Sequence, residues 1–272
     1  MSTKLPTEQE LTQARLRLEI DGAVATVVLD RLDRRNAMTA RTWHTLARIG
    51  DALPDDVRVV VFRGEGDTFS AGIDLAMFDP EGPDGEPSLL AQAQQAAQSD
   101  SGRAELEEII AGVQRGFTWL RRPEVVTIAA VRGHAIGAGF QLALSCDIRI
   151  LAEDAQLCMK EPALGLVPDL TGTKPLVDLV GVHRAMELCL TARTVDAGEA
   201  RELRLAELVV PAAELSDTVA DLTGALLTVP AGAASATKRV LQRAADASGL
   251  EEAAAAERTA QVERLFALLS GE

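Results

Sequence analysis

Cysteine and histidine are scarce in this sequence, three of each among 272 residues. Cys146, Cys158 and Cys189 are odd in number, never in C-x-x-C spacing, and each sits in apolar surroundings. They are expected to be buried structural thiols in a reducing, cytoplasmic compartment. His44, His134 and His183 lie far apart with no second histidine or cysteine at ligand spacing. No structural zinc or H-E-x-x-H site is built that way, so no metal is expected. Basic charge is in deficit too: 27 Lys and Arg face 41 Asp and Glu, and the net charge of −14 opposes non-specific attraction to nucleic acid or anionic membranes. No local basic patch offsets it. Long apolar runs are also missing, since stretches such as Val57 to Phe62 and Val125 to Val131 fall far short of the ~20 residues that span a bilayer. With a polar N-terminus, neither a secretion segment nor a membrane span is expected.

What is present suits an ordinary globular chain: 47% of residues are hydrophobic, 25% are charged, and mean hydropathy is +0.08. Arg15 to Ile20 and Ala23 to Leu29, separated by Asp21-Gly22, predict an antiparallel hairpin. Thr39 to Leu53 has helical spacing, and Val57 to Phe62 reads as a buried strand. Asp79 to Arg103, with five Pro and Gly in an acidic stretch and then a Gln/Ala-rich run, predicts a loop with a short helix, either a lid or a surface insertion. A helix over Glu105 to Leu120, strands at Val125 to Val131 and Ile148 to Leu151, and an apolar helix between those strands predict an α/β core. Beyond Pro168 the pattern is mainly helical: Lys174 to Leu190, a helix capped by Asp196, a short strand at Leu208 to Val210, then helices near Ser216 to Leu227, Ala231 to Ala245 and Leu250 to Leu269. The expected division is a core over 1–200 and a helical, oligomer-forming region over 201–272.

Two segments share one design, a buried strand followed by a glycine-bearing turn and a helix-like run: Gly64 to Leu75, and Gly133 to Ser145. Such turns either aim free backbone N–H groups at an anion or oxyanion, or simply permit tight packing. Dinucleotide binding does not fit, because neither turn has G-x-G-x-x-G spacing; G-K-[ST] and G-x-S-x-G are absent as well.

Gly64-Glu-Gly-Asp-Thr-Phe-Ser-Ala-Gly-Ile-Asp-Leu75 and Gly133-His-Ala-Ile-Gly-Ala-Gly-Phe-Gln-Leu-Ala-Leu-Ser-Cys-Asp-Ile-Arg149 resemble the two signature segments of the crotonase superfamily, the enoyl-CoA hydratases and isomerases. Leu29 to Met38 resembles that family's N-R-P-x-x-x-N-A segment, with Asp30 and Leu32 as departures, and Glu161 to Asp169 resembles its third active-site segment. The likeness runs from about residue 15 to 240. It implies a crotonase-like spiral of ββα units with C-terminal trimerisation helices, assembled as a homotrimer or dimer of trimers. It also implies an acyl-CoA thioester as ligand, with coenzyme A arriving as part of the substrate and no separate cofactor.

By position, the resemblance makes Ala71 and Ala138 the donors of two backbone N–H groups to the thioester oxygen, a role open to alanine because the donors are main-chain atoms. It places Arg34, Ala37, Ala71, Gly72, Ile73, Asp74, Leu75 and Ala138 along the CoA channel, with Arg34 or Arg35 either near phosphate or on a solvated turn. Gln141 and Glu161 occupy the places where the hydratases hold a water between two glutamates. An amide cannot share general acid–base work, so Glu161 is left as the single base, which suits isomerisation better than hydration. Asp169 is either the second acid of the family's dienoyl-CoA isomerases or a helix cap. Lys174 has no assigned role, and Lys238 either approaches a CoA phosphate or lies on a solvated helix. A protein that binds the thioester without turnover is the other class the residues allow.

Overall fold

The computed structural model describes residues 4–247 and 249–270, without the side chains of 268–270. A short helix, α1 (Glu8–Gln13), opens on a capping box between Thr7 and Glu10. β1 (Leu16–Asp21) and β2 (Val24–Leu29) form the expected antiparallel hairpin, turning through Gly22 at φ +53°. α2 (Ala40–Ala52) buries Trp43, Leu46 and Ile49 at helical spacing and leads to β3 (Val59–Gly64). Two helices, α3 (Leu89–Ala96) and α4 (Gly102–Thr118), intervene before β4 (Val126–Val131). α3 is the short helix expected within 79–103.

β5 (His134–Ile136), α5 (Ala138–Ser145), β6 (Ile148–Ala152) and β7 (Gln156–Cys158) follow in quick succession. α6 (Thr173–Thr191), β8 (Val195–Asp196), α7 (Ala197–Glu202) and β9 (Leu208–Val210) complete the strands. Three helices close the chain: α8 (Leu215–Thr228), α9 (Ala231–Asp246) and α10 (Leu250–Ser270).

Six strands make the main sheet in the order β1-β2-β3-β4-β6-β9, antiparallel at β1–β2 and parallel elsewhere. Alternation along β3 explains why that strand is apolar throughout. Val60 and Phe62 enter the large core with Leu46, Phe117 and Phe140, whereas Val59 and Val61 face Leu215 and Val219 of α8. A smaller sheet, β5-β7-β8, stands beside the first.

Two expectations change. The helix expected unbroken over Lys174 to Leu190 is interrupted at Gly181 (φ 74°, ψ 158°), a conformation only glycine adopts readily. β9 and α8 lie past residue 200 yet serve the main sheet, one as a strand and one as a cover. Among the described residues, no single helix is long and apolar enough to cross a membrane.

Candidate active site

The turn after β3 is pinned from several directions. The Asn36 amide donates to the carbonyls of Glu65 (2.9 Å) and Thr68 (2.7 Å), and Ser70 Oγ donates to the Asn36 carbonyl at 2.7 Å. Ser70 N–H donates to the His134 carbonyl (2.8 Å) and Ile136 N–H to the Ser70 carbonyl (3.0 Å), which lays residues 70–73 against β5 and the start of α5. Gly72, at φ +94°, is required by that approach: a Cβ there would run into the Ile136 carbonyl and sit 3.5 Å from Ala138 N.

This geometry corrects one assignment. Ala71 N–H is already used, donating to the Arg35 carbonyl at 2.8 Å, so it is not free for an oxyanion. Among the described residues, the amides of Ile73 and Ala138 donate to no protein acceptor, and Ala138 is the first residue of α5. The two free donors are therefore Ile73, one turn position beyond the neighbouring glycine, and Ala138 at a helix N-terminus where a negative charge is favoured.

Behind these amides lie the side chains singled out for chemistry. Glu161 begins a 3-10 turn (Glu161–Leu164) and is 7% exposed. Its Oε1 accepts from Gln141 Nε2 at 2.7 Å, while Oε2 is buried without a partner. Burial pushes the Glu161 carboxyl above its ordinary range, opposed in part by hydrogen bonds from backbone and Gln141. Gln141 is fully buried within α5, and its Oε1 accepts from Leu170 N–H (2.9 Å) and Gly172 N–H (3.2 Å). Asp169 is half-buried, and burial raises its carboxyl as well. It does not cap α6, whose N-cap is Gly172.

Ile73, Ala138, Glu161 and Asp169 all line a cavity of about 960 Å³. Ala71, Gly72 and Leu75 share its wall, as expected, and Trp43 and His44 of α2 join them. Residues from 79–103 also contribute, among them Glu86, Leu89 and Leu90. α4 presents Leu106, Ile109, Ile110 and Val113, an i, i+3, i+4, i+7 row that marks one apolar helix face.

Other expected site residues lie elsewhere. Gln141 is fully buried behind Glu161 and is not part of the cavity wall. Asp74 does not line the channel; it is buried in charge contact with Arg31 (2.6 Å) and accepts from Ala76 N–H. Arg34 is exposed and Ala37 buried, and neither reaches the cavity. Lys174 is tied to Asp178 at 2.6 Å. Lys238 is neither solvated nor near a ligand site: its Nζ donates to the carbonyls of Leu120 (3.2 Å) and Val125 (2.8 Å) and to Asp147 (2.7 Å). Cys146 and Cys158 are buried and free, and burial raises both thiols; Cys189 is half-buried.

A profile described as enoyl-CoA hydratase/isomerase matches residues 19–266, nearly the whole chain. The chain belongs to the enoyl-CoA hydratase/isomerase family. A structure from Thermobifida fusca YX, a candidate enoyl-CoA hydratase in complex with acetoacetyl-CoA, is 61% identical, with a TM-score of 0.90 over 97% of this chain and 99% of that one. The peroxisomal Delta(3,5)-Delta(2,4)-dienoyl-CoA isomerase of Arabidopsis thaliana is 31% identical over 238 residues, 86% of this chain and 82% of its own. A candidate enoyl-CoA hydratase of Mycobacterium bovis is 29% identical over 242 residues, 88% of this chain and 85% of its own. The fold is thus the crotonase fold of these enzymes; the 61% identical structure is described as a candidate hydratase, whereas the dienoyl-CoA isomerase is 31% identical.

Proposed function

We propose that this family member is an enoyl- or dienoyl-CoA isomerase in which Glu161 is the acid/base and the amides of Ile73 and Ala138 hold the thioester oxygen. The observation that carries the reading is the asymmetry of the buried pair. Glu161 keeps one unpartnered oxygen at the cavity, whereas position 141 holds an amide turned away from it. Holding a water for addition to a double bond uses two acid/base groups, and an amide supplies none. Moving a proton between C2 and C4 of an enoyl thioester uses one.

In this reading the thioester carbonyl lies between the two free N–H groups, which stabilise the negative charge as a C–H bond breaks. Glu161 takes the proton and returns it to another carbon, and no water is consumed. Asp169, on the same wall and raised by burial, supports the dienoyl variant, in which two carboxyl groups serve separated carbons. Trimeric assembly is part of the proposal, supported by Val182, Met186 and Leu190, an exposed apolar row at four-residue spacing on the second half of α6.

The test is an assay against 2-enoyl-, 3-enoyl- and 3,5-dienoyl-CoA thioesters, read by absorbance and mass, with E161Q and D169N alongside. Products of unchanged mass, lost in E161Q, support isomerisation, and further dependence on Asp169 assigns the dienoyl reaction. Products heavier by one water refute it, and tight binding without turnover makes the protein a binder.

A further inference from the structure

The network behind Glu161 has a direction built into it. Leu170 N–H and Gly172 N–H both meet one end of the Gln141 amide. Backbone amides can only donate, so that end is the oxygen, and the NH₂ end must face Glu161 Oε1 at 2.7 Å. Turning the amide over would set its NH₂ against two other donors inside a dry core. Gly172 seals the arrangement, because a Cβ there would lie 2.7 Å from Gln141 Cγ. Gly137, at φ +51°, closes the other side; its Cβ would sit 3.1 Å from Glu161 Oε1.

We propose that Gln141 is a positioning residue that makes Glu161 one-sided: Oε1 is held as a permanent acceptor, and Oε2 alone carries the migrating proton. The chemistry rests on the isomerase reading, whereas the one-sidedness rests on the hydrogen bonds. In the first half of the reaction a C–H bond of the acyl chain breaks, its electron pair passes to the thioester oxygen as an enolate, and the proton bonds to Oε2. In the second half the O–H bond breaks, the proton returns to a different carbon, and the enolate collapses back to the thioester. Oε1 takes part in neither half. A carboxylate at 141 would end this division, since two ionised oxygens 2.7 Å apart repel and the pair would trap a proton between them, away from the substrate.

The titratable groups near Glu161 are Asp169 in the following segment, Lys160 just before it, and the thiols of Cys158 on β7 and Cys189 on α6. All stay in place in the variants that test the idea. The Glu161 carboxyl is followed by isotope-edited infrared titration of ¹³C-glutamate-labelled enzyme, assigned by difference against E161Q, in wild type, Q141E and Q141M. Q141E keeps an acceptor for Leu170 and Gly172, and circular dichroism of both variants should match wild type.

In Q141M the midpoint for Glu161 should rise by about one pH unit as the carboxylate loses a donor. In Q141E it should rise further, with two coupled steps. The acid limb of kcat should follow each shift, with kcat falling about tenfold or more and KM nearly constant. Unchanged midpoints in both variants would overturn the proposal. If wild type isomerises none of the thioesters, the isomerase reading falls, while the titration still decides whether Gln141 sets the state of Glu161.

Discussion

Deleting single main-chain N–H groups separates Ile73 from Ala71 as the oxyanion donor. Replacing residue 73 by the matching α-hydroxy acid turns its amide into an ester and removes one donor while keeping the side chain. Ile73 N–H has no protein acceptor, so losing the donor breaks no bond; the Gly72 carbonyl, now an ester, still accepts from Met38 N–H (2.7 Å) but more weakly, and stability should fall by about 1 kcal/mol or less. The transition state loses a preorganised donor, a change worth about 2.7–4 kcal/mol in comparable sites, or about 10²- to 10³-fold in kcat. The same replacement at Ala71 should do the opposite. It removes the 2.8 Å bond to Arg35, costing about 0.5–1.5 kcal/mol of stability, and leaves kcat within a few-fold of wild type. Both proteins, made by nonsense suppression, are compared by absorbance-monitored turnover and by urea unfolding. A large kcat loss at 71 with near-normal turnover at 73 would refute the assignment of the free donors.

Three further outcomes follow from named contacts. E161Q should lower turnover by about 10²- to 10⁴-fold and yet melt higher than wild type at neutral pH. The folded state holds the Glu161 proton more tightly than the unfolded chain, so its stability is fully present below 4.5 and lost as pH rises through the raised folded value. The gap in melting temperature should therefore close on acidification towards 4.5, which calorimetry across pH will show. K238M should lose about 3 kcal/mol in urea unfolding, because Asp147 is left without its cation, and CoA-thioester affinity by calorimetric titration should be unchanged. D74A should cost about 1–3 kcal/mol by the same unfolding measurement, leaving the buried Arg31 guanidinium with only the half-exposed Asp84 carboxylate at 3.5 Å.

Glycine-bearing turns after apolar strands are local signals and led to the two turns, whereas Glu161 was reached through the resemblance of 161–169 to the family's third active-site segment. The free amide of the first turn was not local information. Whether Ala71 or Ile73 has an unused N–H is decided by the Arg35 carbonyl, which the fold delivers from another segment. Lys238 misled for a related reason: a cation beside Arg239 in an Ala-rich helix matches a solvated position, and only the packing of α9 against the Leu120 to Val125 connection reveals two carbonyls and a carboxylate waiting for it. Asp74 sits inside the signature segment beside true wall residues, and its partner Arg31 is distant in sequence. Gln141 was correctly seen to lack acid–base capacity, but α5 is buried on every side and its periodicity gave no hint that the amide lies behind the carboxylate.

α5 is eight residues long and buried along its full length. Its first amide belongs to Ala138, and the chain leaves its far end at Asp147, gripped by Lys238 of α9. At 1.5 Å per residue the helix itself is about 12 Å long, a rod with no solvated side to yield into. α5 is thus a strut, with the free Ala138 amide at one tip and the C-terminal helices at the other. In the proposed reading, a rod this stiff couples the docking of α9 to the placement of a single N–H group.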